Sequence, residues 1–379
     1  MRFSVKLAAP LALLLVQALS ACAPRADVPP GYPRDYAQTI DAAQEEGALT
    51  LYGTIGISRV EALVAAFERK YPAIDVDYLD MPADEAFNRT IAEGRAGKGG
   101  GDIVWSSAMD LQIKLVNDGY AQAYKSPESG ALPPGLVWKN EAFGITAERV
   151  VFAYNSRLLP RAEVPRTHAE LRRFLVERPD MAGRVATYDP ERSAVGFMFL
   201  REDLQASANT WQLVNALGRS HAKLFKSSDE ILEALSSGEV LIAYNVISSY
   251  AQKRQQQDDI IGHVVPQDYT LLMSRIALIT RDARHPNAAR LFLDFMLSKE
   301  GQTILAQQSV FPVRSDVALP QTIREKTGQR RMIRVGPALL THLDQLTRER
   351  FFRQWKEAYS AGESQSRGVG AQGRYSGDE

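Results

Sequence analysis

Leu49-Thr50-Leu51-Tyr52-Gly53-Thr54-Ile55-Gly56-Ile57-Ser58, running on from Val60 to Tyr71, is the stretch that decides the fold. Apolar side chains alternate at Leu49, Leu51 and Ile55, the period of a strand. Past Gly56 and Ser58 they recur at Leu63, Val64, Phe67 and Tyr71, the period of a helix. The reading is strand, tight turn, helix. A small-residue turn of this kind leaves backbone N–H groups free at the helix start, where the partial positive charge attracts anions. Thr54, Gly56 and Ser58 are therefore candidate ligand contacts, with helix capping as the competing role for Ser58.

The pattern repeats downstream. Ile74 to Leu79 reads as a strand, 83 to 96 as a helix and Ile103 to Trp105 as a strand, an alternation that implies a mainly parallel, covered sheet. Lys98-Gly-Gly-Gly-Asp102 lacks the Lys-Ser or Lys-Thr of a nucleotide phosphate loop and reads as a connection. The third strand ends in Ser106 and Ser107 ahead of a helix carrying Leu111, Leu115 and Val116. In open α/β sheets ligands collect beyond the carboxyl ends of strands, so these two serines join the candidate site.

A second unit follows. Val150 to Tyr154 is an apolar strand preceded by Arg149, a candidate bidentate contact for an anion. The stretch from Arg184 to Gly196 reads as strand and polar turn, presenting Tyr188 and Ser193. Helices near 207 to 217 and 228 to 236 come next, the second closed by Gly238. The strand Val240 to Tyr244 then runs into Asn245, Ser248 and Ser249, further candidates, and Tyr250, assigned to packing. Ile260 to Val265 and Leu271 to Ile279 read as returning strands, Asn287 to Leu297 as an amphipathic helix, and Pro337 to Tyr359 as a helical stripe. Beyond Gly362 the tail has too little apolar surface to fold.

At the other end, Arg2 and Lys6 precede the apolar run Leu7 to Leu19 and then Leu19-Ser-Ala-Cys22. This resembles a bacterial lipoprotein signal, with residues 1–21 removed and Cys22 lipidated as the membrane anchor, which implies export to the periplasm. Cys22 is the single cysteine, so no intrachain disulfide is available. Residues 22–47 read as a tether and first helix. With 45 basic and 45 acidic residues the chain has no electrostatic footprint for nucleic acid.

The five histidines are scattered without metal-ligand spacing, and no Gly-x-Ser-x-Gly elbow surrounds Ser106 or Ser248. No motif supports a catalytic residue, a metal site or a cofactor, so the expectation is binding without turnover. Hydroxyls, amides and an arginine suit a small anionic solute.

Several motifs occur together and in order: Thr50-Leu-Tyr-Gly, Gly101-Asp-Ile-Val-Trp-Ser, Ala147-Glu-Arg-Val-Val-Phe-Ala-Tyr-Asn155, Ser237-Gly-Glu-Val-Leu-Ile-Ala-Tyr-Asn245 and the helix from Pro286 to Lys299-Glu-Gly-Gln302. Over about residues 48–312 the chain resembles extracytoplasmic substrate-binding proteins of ABC importers, most of all the ferric-iron-binding branch, which also holds binders of phosphate esters and phosphonates. The resemblance implies an α/β fold of type II periplasmic-binding proteins. Each of its two lobes would carry a mixed, mainly parallel sheet with helices on both faces, and the ligand cleft would lie between the lobes. The lobes implied are 48–150 with 269–320, and 151–268, crossing near Arg149 to Asn155 and Val264 to Thr270. Residues 321–361 would form C-terminal helices and 362–379 a disordered tail. It further implies a monomer serving an inner-membrane permease or, as in some relatives, a sensor kinase. The iron branch places a histidine on the first turn, where this chain has Thr54-Ile-Gly56, and a glutamate where Ser107 follows Ser106. It places adjacent tyrosines where Ser248-Ser249-Tyr250 stands. A hard trivalent cation needs anionic oxygen ligands, and these neutral residues favour an anion over iron.

Overall fold

The computed structural model describes residues 28–318 and 328–372; the leader and Cys22 lie outside the described residues. β1 (Ala48–Gly53) and β2 (Asp75–Asp80), joined by the helix Glu61–Lys70, pair in parallel from Ala48↔Asp75 to Gly53↔Asp80. β3 (Ile103–Ser106) pairs on the other side of β1, also in parallel, as the alternating pattern predicts. The short strands β4 (Val137–Trp138) and β5 (Ala142–Gly144) lie towards the far edge. Leu51, Phe67, Trp105 and Phe292 share one apolar core on this sheet, where Phe67 meets Phe292 edge-on at 4.9 Å.

The second sheet is built on β6 (Glu148–Asn155), which is buried along its whole length. β7 (Val185–Tyr188) and β8 (Lys223–Phe225) are parallel neighbours. β9 (Ile242–Ile247) pairs parallel to β7 and antiparallel to β6, and β10 (Ile261–Val264) and β11 (Tyr269–Met273) run antiparallel to β6. The chain then returns to the first sheet as β12 (Ile276–Ile279), antiparallel to β3 and β5, giving the order β2-β1-β3-β12-β5-β4. β13 (Gln329–Met332) completes the second sheet beside β11.

Three expectations are corrected. The returning strand read over Leu271 to Ile279 is two strands in different sheets, because Ser274-Arg275 interrupts the run. β11 therefore belongs to the second sheet, as does β6 from Glu148. The chain crosses between lobes at residues 145–147 and 274–275, not near Arg149 to Asn155 and Val264 to Thr270. Second, Asn245 lies inside β9, with a left-handed φ of 64°, not in a turn after Tyr244. Third, the polar stretch from Gly362 continues a helix, Gln345–Gln372. Packing overrides its weak apolar content. Phe351 and Trp355 are buried, and Gly362 sits so close to the helix Thr210–Arg219 that a Cβ there would come 2.0 Å from the Asn215 carbonyl oxygen.

The C-terminal segment touches both lobes. From β13 the chain reaches the first lobe, where the Val335 amide donates to the Gly135 carbonyl at 2.9 Å. The 3₁₀ turn Pro337–His342 packs on the helix Met109–Asn117 of the first lobe. The final helix then covers Thr210–Arg219 in the second.

Candidate functional site

The two strand-ended turns of the first lobe meet, as their shared topology predicts. The Thr54 amide donates to the Trp105 carbonyl (3.2 Å), the Ser107 amide donates to Thr54 Oγ1 (3.1 Å), and the two hydroxyls stand 3.5 Å apart. Ser106 turns inward, its Oγ accepting from the Ala108 amide at 3.2 Å. Ser58 does not cap the helix: it is exposed, and Val60 occupies the N-cap without a side-chain bond. Its carbonyl accepts instead from Lys253 Nζ of the second lobe, 3.1 Å away. Gly56 precedes a 3₁₀ turn, Ile57–Arg59, with Asp80 Oδ2 4.0 Å from where its Cβ would be. Of the amides expected to be free here, that of Ile57 faces the chain's own Asp80 carboxylate and that of Ile55 donates to the Tyr78 hydroxyl at 3.4 Å. Burial and the nearby Asp229 charge raise the Asp80 pKa, partly offset by the Arg275 charge and the Ile57 N–H.

Where the chain crosses between lobes stands a buried ion pair. Arg275, with no solvent exposure, donates from Nε to Glu148 Oε1 at 2.7 Å and from Nη1 to the Thr54 carbonyl at 3.3 Å. Glu148 is equally buried and also accepts from Thr146 Oγ1 (3.1 Å) and the Ser249 hydroxyl. Burial, the largest single influence, would lower the arginine's pKa, but the Glu148 charge together with the interactions with Tyr250 and the hydrogen bond to Glu148 outweighs it and holds the guanidinium charged. Its Nη2 is buried without a partner among the described residues.

Tyr250 stands between the lobes, its hydroxyl 3.5 Å from the Thr54 carbonyl oxygen. The Arg59 guanidinium carbon lies 3.5 Å from the centre of its ring and that of Arg275 5.4 Å. Arg59 is 7% exposed, and its Nη2 faces Asp229 Oδ1 of the second lobe at 3.8 Å. Its Nη1, like Nη2 of Arg275, is buried and has no partner among the described residues. Two cations thus stand around one phenol at the junction, each with a donor unpartnered among the described residues.

The second lobe distributes its candidates less evenly. Ser249 reaches the junction through Glu148, and Ser248 Oγ accepts from the Arg149 amide at 3.2 Å. Tyr188 is buried, 2.5 Å from Ser228 Oγ, and desolvation raises its pKa. Ser193 caps the helix Ala194–Ala206, accepting from the Gly196 amide. Asn245 Nδ2 donates to Asp203 Oδ2 (2.7 Å), within a network completed by Tyr244 (2.5 Å) and Tyr269 (2.9 Å). The Arg149 guanidinium lies over the Phe311 ring at 5.4 Å. Thr54, Ser107 and Ser249 thus gather at the junction, whereas Ser193 and Asn245 hold the second lobe together.

Arg59, Glu148, Arg275 and Tyr250 were not picked out from sequence. One signal existed for Arg275: it is the lone charge in Leu271-Leu-Met-Ser-Arg275-Ile-Ala-Leu-Ile279, where an arginine must be paired or functional. Among the described residues no three His, Cys, Asp or Glu side chains gather as metal ligands.

Comparison with known proteins places this geometry. Residues 62–329 match the family model described as bacterial extracellular solute-binding protein. A substrate-binding protein of an ABC transporter from Agrobacterium tumefaciens is 37% identical. The match covers 82% of this chain and 94% of that one, with a TM-score of 0.77. The periplasmic binding protein AfuA from Actinobacillus pleuropneumoniae, solved with exogenous fructose-6-phosphate, is 18% identical over 83% of this chain and 98% of its own (TM-score 0.67). Iron-bound HitA from Pseudomonas aeruginosa is 19% identical over 82% and 99% (TM-score 0.65). No curated protein matches. The fold shared with these structures is the two-lobed type II periplasmic-binding fold. The chain belongs to the bacterial extracellular solute-binding protein family, and it is a binding protein, not an enzyme.

Proposed function

We propose that this protein captures a small organic anion, a phosphate ester, phosphonate or carboxylate, between its lobes and delivers it to an ABC permease. In this reading Cys22 carries the lipid that anchors it at the periplasmic face of a membrane. The observation that carries the proposal is the pair of buried guanidinium nitrogens at the lobe junction, Arg59 Nη1 and Arg275 Nη2, that have no partner among the described residues. A buried donor without an acceptor costs about 1–3 kcal/mol, which an anionic oxygen placed there would recover. Thr54, Ser107, Tyr188 and Ser249 would supply the neutral hydrogen bonds. A ligand held by both lobes stabilises the closed form by its differential affinity for it.

The solved relatives include an iron-bound protein, a sugar-phosphate complex and a thiamin-binding protein, so ligand chemistry must come from this chain's own residues. Donor-rich arginines and the lack of a gathered carboxylate or imidazole set among the described residues support the anion. Thermal-shift screening of the mature protein against phosphate monoesters, phosphonates, carboxylates and ferric citrate tests it. Organic anions should raise Tm; a response to ferric ion alone would overturn the reading.

A further inference from the structure

The charges around the lobe junction are sorted by depth. The cations lie inside, Arg275 with no exposure and Arg59 at 7%, whereas the carboxylates of Asp80 and Asp229 stand at the mouth, the Asp229 side chain 72% exposed. They belong to opposite lobes: Asp80 ends β2 of the first, and Asp229 opens the helix Ser228–Ser236 of the second. They are near enough that the Asp229 charge disfavours ionisation of Asp80. Arg59 ties the two levels together, with one nitrogen 3.8 Å from Asp229 and the other buried and unpartnered.

A solute carrying only negative charge meets two carboxylates before it reaches the arginines. Their repulsion weakens its binding even when the inner contacts are good. A solute with an anionic group at one end and an ammonium at the other meets complementary charge at both depths. Arg59, Arg275 and Lys253, with Arg254 beyond Asp229, face Asp80, Asp229 and Glu148 around the junction, so both signs are present to meet a ligand of both signs. Asp80 and Asp229 stand on opposite lobes, so an ammonium held by both would bridge the lobes and favour the state in which both reach it.

We propose that the bound solute is amphoteric, a small phosphate, phosphonate or carboxylate whose anionic head meets Arg59 and Arg275 and whose amino group is held between Asp80 and Asp229. This rests on the anion reading above and narrows it.

The test uses two matched pairs in calorimetry on the mature protein: O-phosphoethanolamine against ethyl phosphate, and β-alanine against propionate, with glycerol 3-phosphate as a hydroxyl-bearing control. The expected result is that the amino member of at least one pair binds about tenfold or more tightly than its partner. Asp80→Asn and Asp229→Asn should each shrink that preference to about threefold or less while leaving the amine-free partner bound as well or better. Equal affinity within both pairs, or tighter binding of glycerol 3-phosphate than of O-phosphoethanolamine, overturns the amphoteric assignment and leaves the anion reading standing. A preference that survives both substitutions overturns it too. Failure of every organic anion to bind overturns both.

Discussion

Glu148 and Asp203 are both carboxylates with no solvent exposure, yet they are satisfied in opposite ways. Asp203, inside the second lobe, is surrounded by neutral donors: two tyrosine hydroxyls and the Asn245 amide, with His168 Nε2 4.0 Å away. Glu148, at the crossing, is matched by a full positive charge, and that charge keeps a donor to spare. The first arrangement closes on itself and holds a fold. The second leaves one guanidinium nitrogen without an acceptor among the described residues, and that is the feature the proposed site would use.

Arg275→Ala is the harshest way to probe the contrast. It strands Glu148 in the core, and breaking a buried pair from one side costs about 3–5 kcal/mol. Urea unfolding should show that loss, and anion-induced stabilisation should vanish with it. Arg275→Lys keeps the charge without the spare fork donor and should recover much of the stability but little of the ligand response. A lysine variant that responds normally would break the distinction.

Glu202, next to Asp203, sharpens it from the other side. Burial, then the Asp203 charge, raises its pKa to about 7. A raised carboxyl favours the protonated folded form, so its contribution is fully present below about pH 4.5 and is lost as pH rises through 7. At about 1.4 kcal/mol per unit, the Glu202→Gln variant should gain up to about 3 kcal/mol relative to the native chain between pH 4.5 and 8. His342, whose Nε2 lies 3.4 Å from Glu202, runs the opposite way. Burial lowers its pKa to about 4, so its contribution fades as pH falls from 6.5. Melting curves across pH on both proteins separate the two.

Asp203→Asn should cost about 1–3 kcal/mol, since its partners lose a charged acceptor, while the ligand response persists. Loss of that response at unchanged stability would place Asp203 with Glu148. The smallest effect belongs to Ser193→Ala, a lost helix cap worth about 1 kcal/mol by thermal unfolding, with no change in ligand affinity.

Much of the fold was legible because strand and helix periods write themselves into apolar spacing; the helix Ser228–Ser236 falls where the pattern puts it. The alternation of β1, β2 and β3 with helices likewise fixes a parallel sheet. The site was less legible. Hydroxyls at strand ends pointed to the junction where Thr54 and Ser107 meet, but the charges that dominate it come from residues distant in sequence. Arg275 meets Glu148 across 127 positions and Thr54 across 221. No local period records such a meeting. Ser193 and Asn245 look the same in sequence as Ser107 and Ser249, and only the folded environment separates a cap from a contact. The final helix was missed past Gly362 because its support comes from another helix, not from its own composition.

The match to the family model stops at residue 329, where β13 begins, and shortening the molecule to that boundary would do it harm. β13 is the outermost strand of its sheet and shields β11. A chain ended at that boundary would present the bare hydrogen-bonding edge of β11 together with the uncovered apolar flank of Thr210–Arg219, an invitation to strand-to-strand aggregation. Residues 329–372 serve as a seam binding, and a chain cut ahead of them is expected to come out of expression less soluble.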